Sequence, residues 1–196
     1  MQNTEFGGPV VLMILDGLGI APDSKSNPIS QTNPRAFDAL YQSSQHTRLW
    51  AHGEYVGLPK DQDGNSEAGH LNLGAGRVVK QDAVLISESI KDGTFFKNGA
   101  FAEAIQHVKR NNSAIHLMGL LSDGQSAHST PSHLTALLDL MHQENLSRVY
   151  LHLFTDGRDS LPQSGKQLYL ELKGHLHKGQ EVASIMGRFY SMDRKK

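Results

Sequence analysis

Three short apolar segments in the second half of the chain alternate with segments of helical periodicity, and this alternation limits the possible folds. The apolar segments cover residues 114–121, 148–154 and 181–186, and the helical patterns between them cover residues 131–144 and 163–177. Apolar segments of this length are typical of strands. Strands that alternate with helices form mainly parallel sheets with right-handed crossovers. The second half of the chain is therefore predicted to be an α/β domain.

The first half of the chain contains two further apolar segments. Residues 9–15 form a continuous apolar run whose branched side chains suit a strand buried on both faces of a parallel sheet. Residues 47–51 are predicted to be a second strand. Residues 21–34 are rich in proline, serine and asparagine and are interpreted as a loop. Helical patterns are predicted at residues 34–41, 78–93 and 97–111.

The composition excludes several classes of protein. The 196 residues are 38% hydrophobic and 20% charged, with a formal net charge of −1, so nothing indicates a nucleic-acid or membrane surface. Cysteine is absent, which excludes disulfides and thiolate metal sites and fits a reducing compartment. The first residues lack the basic region of a signal peptide, and no apolar run approaches the length of a membrane span. We therefore expect a cytoplasmic protein.

Ser66 stands where a loop is predicted to become a helix, two residues after Gly64, whose missing Cβ permits a sharp turn. The free N–H groups and partial positive charge of a helix N-terminus favour an anion there. A serine at that point could be deprotonated and attack phosphorus, especially if a metal ion held its oxygen. Serine is also a preferred capping residue, so a purely capping role is the alternative. His70, one helical turn later, could face the same site or have a structural role.

Asp16 follows the apolar run of residues 9–15 and is itself followed by Gly17. An acidic residue at the carboxyl end of a central strand lies where open α/β sheets build their sites. Its carboxylate could bind a divalent cation. The pair Asp16-Gly17 is also common turn chemistry, so both interpretations stay open.

Charged residues follow the three predicted strands of the second half, namely His128, Arg158, Asp159, Arg188 and Arg194. Because parallel strands place their carboxyl ends at one edge of a sheet, we expect these side chains to gather along one rim. Arginine matches phosphate and carboxylate oxygens bidentately, so the rim is interpreted as a receptor for a small, multiply charged anion. Each arginine taken singly could instead be an ordinary surface residue. His116 and His152 lie inside predicted strands and are expected to have structural roles.

Taken together, these motifs resemble the cofactor-independent phosphoglycerate mutase family of the alkaline phosphatase superfamily. The most specific match is Gly64-Asn65-Ser66-Glu67-Ala68-Gly69-His70, and it continues through residues 71–77. Residues 117–124, 156–159 and 187–194 support it independently. The resemblance covers essentially the whole chain.

The resemblance implies the interconversion of 2- and 3-phosphoglycerate in glycolysis and gluconeogenesis through a phosphoserine intermediate. It implies two divalent metal ions, commonly manganese, and no 2,3-bisphosphoglycerate. Ser66 would be the nucleophile, and Asp16 and Ser66 would be ligands of one metal ion. The residues that would hold the phosphoglycerate are His128, Arg158, Asp159, Arg188 and Arg194. We expect the full-length enzyme to be a monomer.

The resemblance also implies an α/β fold of three-layer, mainly parallel sheets. An alkaline-phosphatase-like piece at residues 1–78 would be followed by part of an inserted transferase-type domain at residues 79–196. Both would be incomplete, because family members are much longer and supply further metal ligands from a later segment. We therefore expect very weak manganese binding and no turnover from this chain alone. The loop at residues 124–130 is one residue longer than the family pattern and lacks its second histidine.

Two other functions are compatible with these residues. A metal-dependent phosphatase-like or sulfatase-like hydrolase of the same superfamily would share Asp16 and Ser66 but would not retain the glycerate. A non-catalytic remnant would bind a phosphometabolite through the arginine rim without using Ser66. The products of a phosphoglycerate reaction and the residues needed for binding distinguish these functions.

Overall fold

The computed structural model describes residues 7–32 and 34–193, and the chain divides into two compact units, Met1–Leu49 and Trp50–Lys196. The first unit contains helices α1 (Pro28–Thr32) and α2 (Arg35–Ser43). The helix predicted from residue 34 is thus confirmed, whereas the loop predicted for residues 21–34 is wrong at α1. Asn27 explains the difference, because its side-chain oxygen accepts a hydrogen bond from the Ile29 N–H at 3.1 Å. This cap and a proline at the first helical position start a short helix.

Neither apolar segment of the first half forms a strand in the described part of the chain, so these two strand predictions are wrong. Residues 9–15 and 47–51 have no regular secondary structure, and their apolar side chains are exposed. Val10 is 90% exposed, Met13 77% and Leu49 84%. A continuous apolar run predicts burial on both faces of a sheet, but burial requires neighbouring strands. Among the described residues, no strand pairs with either segment.

The second unit contains the remaining helices and all strands of the described residues. Its elements are α3 (Ser66–Ala75), α4 (Asp82–Asp92), α5 (Gly99–Asn111), β1 (Ile115–Leu121), α6 (Pro131–Gln143), β2 (Val149–Thr155), α7 (Gly165–Lys173), β3 (Gln180–Gly187) and α8 (Arg188–Ser191). Two short 3-10 helices cover Gly53–Val56 and Phe95–Lys97. The three strands and the long helices of this half are confirmed within a few residues. Helices α5 and α6, with 13 residues each, are too short to cross a bilayer, as is every other helix in the described ranges.

The three strands form a parallel sheet in the order β1-β2-β3, which confirms the predicted α/β class. Leu121 is paired with Thr155, and Thr155 is paired with Gly187. The carboxyl ends of all three strands are therefore level with one another. The residues that follow them leave the sheet along the same edge.

The main core lies where β2 packs against helices α5, α6 and α7. Val149, Leu151 and Leu153 of β2 are at most 1% exposed, and Leu138 and Met141 of α6 are at most 2% exposed. Fully burying side chains of this size contributes about 1.5–3 kcal/mol each. This packing gives the loops at the carboxyl edge of the sheet a rigid support.

Helix α3 is held by contacts made near the start of the second unit. Ala68 of α3 packs in a small buried cluster with Val56 and Leu58. The Asn72 side chain donates to the Val56 carbonyl at 2.9 Å and accepts from the Val79 N–H at 2.7 Å. These bonds fasten α3 between the segments before and after it. The division predicted at residues 78 and 79 stays a prediction.

Candidate functional site

A cavity of about 410 Å³ lies where four parts of the second unit meet. Its walls come from the loop before α3, the loop after β1, the turn after β2 and the first residue of α8. The lining residues are Asp63, Gly64, Asn65, Gln125, Ala127, His128, Arg158, Asp159 and Arg188. The cavity therefore brings the segment that leads into Ser66 next to the carboxyl edge of the sheet.

Four of the five residues expected on the anion-binding rim line this one cavity. They are His128, Arg158, Asp159 and Arg188. His128 follows β1, Arg158 and Asp159 follow β2, and Arg188 follows β3. Because the carboxyl ends of these strands are level with one another, the four side chains lie close together. The fifth, Arg194, lies outside the described residues. Their role in binding stays a prediction.

Asp156, the first residue after β2, organises the turn that carries Arg158 and Asp159. Its Oδ2 accepts hydrogen bonds from the N–H groups of Ser160 at 2.7 Å and Asp159 at 3.1 Å. Its Oδ1 accepts from the Arg158 N–H at 3.3 Å and from Arg188 Nη1 at 2.7 Å. Burial alone would raise the pKa of Asp156, but the hydrogen bonds from Ser160 and Arg158 and the charge of Arg188 outweigh it, so the pKa is lowered.

The two arginines of the cavity differ in how firmly they are held. Arg188 is 25% exposed and pairs with Asp156, whose side chain is 0% exposed. Arg158 is 74% exposed, and its Nε lies 3.9 Å from Asp159 Oδ1. An ion pair as open as the second contributes little to stability and leaves the guanidinium available. Arg188 is thus a fixed cation, and Arg158 is an adjustable one.

The loop after β1 is held by two buried serines, Ser126 and Ser160, that no motif in the sequence marks. Ser126, 1% exposed, donates from Oγ to Asp159 Oδ2 at 3.3 Å and accepts from the His128 N–H at 3.2 Å. Ser160 Oγ accepts from the Asp123 N–H at 3.2 Å. These bonds fasten the loop of His128 to the turn of Asp159. The sequence signal was their position next to predicted strand ends, but serine is too common in loops for this to stand out.

Ser66 begins α3 but does not cap it. The cap is Asn65, whose Oδ1 accepts from the Ala68 N–H at 2.9 Å. The capping alternative for Ser66 is therefore wrong, because Asn65 occupies the cap position and Ser66 is the first helical residue. His70 Nδ1 lies 2.8 Å from the Ser66 carbonyl oxygen and 3.2 Å from Ser66 Oγ. A carbonyl only accepts, so the bond to the Ser66 carbonyl requires the tautomer with a proton on Nδ1, and in that tautomer Nδ1 cannot accept from the Ser66 hydroxyl.

Gly64 is required by a close approach and not by a left-handed backbone. Its φ is not positive, but a Cβ built there would lie 1.8 Å from the Ala51 carbonyl oxygen. Any side chain at this position would push the loop before α3 away from residues 51 and 52. Glycine at residue 64 therefore sets where Asn65 and Ser66 enter the helix.

His116 and His152 lie on the sheet and not at the cavity. His116 Nδ1 is 2.9 Å from His152 Nε2, and His152 Nδ1 is 2.8 Å from Ser184 Oγ. The row crosses all three strands, since the residues belong to β1, β2 and β3. Their ring nitrogens are hydrogen-bonded to one another, which agrees with the structural roles expected of them.

Asp16 belongs to the first unit, where it and Gly17 form a turn closed by the Leu18 N–H and the Leu15 carbonyl at 3.1 Å. Gly17 has φ 79°, a conformation that favours glycine. The turn interpretation is thus confirmed, and a role of Asp16 as a metal ligand stays a prediction. Within residues 7–32 and 34–193, no group of three or more His, Asp or Glu side chains is arranged to hold a metal ion. Asp16 and Ser66 alone do not fit a two-metal centre, so we assign no step to a metal ion here.

The charges of the cavity favour a ligand that carries both anionic and hydroxyl groups. The cavity lining contains two guanidinium groups, those of Arg158 and Arg188, and two carboxylates, those of Asp63 and Asp159. A bare polyanion would be repelled by these carboxylates, whereas a hydroxyl could donate a hydrogen bond to one of them. The arrangement can therefore bind and orient a small phosphorylated or carboxylated hydroxy compound.

The chain matches a known family of proteins. A family model described as "BPG-independent PGAM N-terminus" matches residues 86–196. The chain is 48% identical over 188 residues to the 2,3-bisphosphoglycerate-independent phosphoglycerate mutase of Clostridium perfringens, covering 95% of this chain and 36% of that protein. It is 49% identical over 188 residues to the protein of the same name from Moorella thermoacetica, again covering 95% and 36%.

Solved structures include a similar fold. A crystal structure of Leishmania mexicana phosphoglycerate mutase at low cobalt concentration superposes with a TM-score of 0.81 and 34% sequence identity. The match covers 92% of this chain and 34% of that one. The chain therefore spans about a third of the length of the relatives it matches.

Proposed function

Because the chain belongs to the BPG-independent PGAM N-terminus family, we propose that it supplies the nucleophile and substrate-binding groups of a phosphoglycerate mutase. The enzyme would interconvert 2- and 3-phosphoglycerate through a phosphoserine at Ser66. One observation carries the proposal: the loop leading into Ser66 and four charged or polar side chains expected to hold the substrate line one cavity. The same cavity supports a small-molecule substrate of mixed anionic and hydroxyl character.

The proposed reaction has two phosphoryl transfers. Ser66 Oγ loses its proton and forms a bond to phosphorus as the bond between phosphorus and a glycerate oxygen breaks, and that oxygen takes up a proton. The glycerate then offers its other hydroxyl, which loses a proton and receives the phosphoryl group as the Ser66–phosphorus bond breaks, and Ser66 Oγ takes up a proton. The N-terminus of α3 favours the negative charge on the transferring group.

The cavity side chains would keep the glycerate in place between the two transfers. Arg158 and Arg188 would bind the carboxylate and phosphoryl oxygens, and Asp159 would accept a hydrogen bond from a glycerate hydroxyl. His128 would donate to the phosphoryl group, and Arg194 would add a further cation. Without such retention water would complete a hydrolysis instead of a mutase reaction.

We propose that the complete enzyme uses two divalent metal ions, manganese among the candidates, and no 2,3-bisphosphoglycerate. The relatives are named 2,3-bisphosphoglycerate-independent, which supports the absence of that cofactor. The Leishmania crystal structure is described at low cobalt concentration, which supports a divalent metal ion. When bound, such metal ions would lower the pKa of a coordinated hydroxyl group and neutralise negative charge on the phosphoryl group. This chain offers only Asp16 and Ser66 as ligands in the proposal. The complete enzyme is proposed to be a monomer located in the cytoplasm.

A chimera tests the reaction. Residues 1–196 would be joined to the remaining part of the Moorella thermoacetica relative and given 3-phosphoglycerate with manganese. We expect 2-phosphoglycerate as product, and none from the same chimera with Ser66→Ala. Inorganic phosphate as the main product would favour a hydrolase. No product from the unchanged chimera, together with binding of 3-phosphoglycerate that is lost in Arg158→Ala but kept in Ser66→Ala, would favour a non-catalytic binding protein.

The 196-residue chain by itself is expected to show no mutase turnover, because it spans about 36% of the length of its relatives. Purified chain would be assayed with 3-phosphoglycerate and excess manganese, with the chimera as positive control. Manganese-dependent formation of 2-phosphoglycerate by the short chain would refute this expectation.

A further inference from the structure

We propose that Asp156 is a positioning residue that aims the Arg188 guanidinium into the substrate cavity, an inference that rests on the proposed function of that cavity. Asp156 does not line the cavity, whereas Arg188 does. Asp156 therefore contacts a ligand there only through the residues that it holds.

The contacts of Asp156 connect two separate segments of the chain. One carboxylate oxygen holds the backbone of Asp159 and Ser160, and the other receives Arg188 Nη1 at 2.7 Å. Arg188 begins α8 directly after β3, and Asp156 follows β2. The single carboxylate thus fixes the distance between the turn of Arg158 and Asp159 and the guanidinium of Arg188.

The bond to Asp156 leaves most of the Arg188 guanidinium available. A guanidinium has five N–H donors, and Asp156 takes one nitrogen of the group. Within the described part of the chain, the hydrogen bonds of Arg188 include no second side-chain acceptor. The remaining N–H groups can therefore bind ligand oxygens in a direction that the buried carboxylate defines.

Only a carboxylate satisfies all four donors around this position. An asparagine would place an NH₂ group either against the guanidinium or against the N–H groups of Asp159 and Ser160. Each choice puts a donor against a donor. Asp156→Asn should consequently release Arg188, although it nearly preserves the shape of the side chain.

The first measurement needs no ligand. Nuclear magnetic resonance of the 196-residue chain would follow rotation about the Arg188 Cζ–Nε bond, with Arg188→Ala assigning the signal. We expect slow rotation in the unchanged chain and fast rotation in Asp156→Asn. The matched control is Asp92→Asn, which removes another turn-forming carboxylate, bonded to Thr94 at 2.6 and 2.9 Å, and should leave Arg188 slow.

The second measurement is a double-mutant cycle on the affinity for 3-phosphoglycerate, determined by calorimetry. Asp156→Asn should weaken binding by between about tenfold and a hundredfold. The same change in an Arg188→Ala background should have a much smaller effect, because an asparagine that no longer faces a guanidinium can turn its carbonyl oxygen toward the N–H groups of Asp159 and Ser160 and keep that turn. An equal loss in both backgrounds would show a general structural role and overturn the inference.

The two measurements separate this inference from the proposed function. If the unchanged chain rotates Arg188 as freely as an exposed arginine, the positioning role is overturned whatever the affinity. If the unchanged chain does not bind 3-phosphoglycerate while Arg188 rotates slowly, the pairing holds, the aim toward this ligand is overturned, and substrate binding by the isolated cavity fails. Thermal unfolding of Asp156→Asn would be measured alongside to ensure that the compared variants are folded.

Discussion

At the residue scale, the neighbouring residues Asn65 and Ser66 have different roles. Asn65 caps α3 through its bond to the Ala68 N–H, so Asn65→Ala should destabilise the chain by about 1 kcal/mol. Ser66→Ala should change the free energy of unfolding much less, because alanine is a better helix former and the cap remains. Urea unfolding of both variants checks this. A larger loss in Ser66→Ala than in Asn65→Ala would contradict the assignment of the cap.

Asp156 should make stability depend on pH in the acidic range. Its pKa is lowered in the folded chain from an ordinary value of 3.8, so the unfolded chain binds the proton more readily. The stabilisation is full above about pH 4 and is lost as the pH falls below 3.8 through the folded pKa. Urea midpoints between pH 5 and pH 2.5 should fall less steeply in Asp156→Asn. An unchanged acid slope would show that Asp156 is not responsible.

Individual residues show where sequence reasoning stops. The loop and its glycine indicate a serine at the start of a helix, but they leave a capping role open for Ser66 although Asn65 fills it. Both residue types cap helices, so only coordinates decide which one does. Asp156 does not stand out in the sequence, because an aspartate before a glycine is ordinary turn chemistry. Its bond to Arg188, 32 residues later, has no local signal in the sequence.

At the element scale, the conformation of the loop before α3 requires a glycine at residue 64, whereas helix α3 does not require the glycine at residue 69. A Cβ on Gly64 would lie 1.8 Å from the Ala51 carbonyl oxygen, whereas a Cβ on Gly69 would have nothing within 4 Å outside its own helix. Gly64→Ala should therefore destabilise the chain. Gly69→Ala should stabilise it by up to about 1 kcal/mol, since alanine favours a helix interior. Thermal unfolding compares the two, and equal shifts would count against the close approach.

The strands show which elements a pattern can predict. The predictions of β1, β2 and β3 agree with the structure within about two residues because each strand has helices beside it in sequence that cover it in space. Residues 9–15 have the same apolar character, but no strand pairs with them in the described ranges. Hydrophobic periodicity and composition predict which side chains of a segment would be buried in a sheet. They do not report whether a partner is present to bury it.

At the scale of the whole molecule, the first unit presents apolar surface to water. Val11 is 79% exposed and Met13 is 77% exposed. Exposed apolar runs of this kind promote self-association. The Val11→Lys/Met13→Lys variant should bind less of an apolar dye and stay monomeric to higher concentration in light scattering.

The control for that variant adds the same charge without removing apolar surface. Gln42→Lys/Gln45→Lys serves, because both glutamines are exposed residues of the first unit. If the control suppresses association equally, charge alone is the cause. The unfolding midpoint of the second unit should be the same in both variants, because neither touches its core.

The order of the sheet has a consequence for how the chain is made. Strand order equals chain order, so during translation each new strand finds its neighbour among residues that have already left the ribosome. Arg158 is synthesised just after β2, and Arg188 is synthesised only after β3. A nascent polypeptide halted before residue 180 would hold a two-stranded sheet, with Arg158 but without Arg188. The proposed ligand site is thus complete only after β3 has been synthesised.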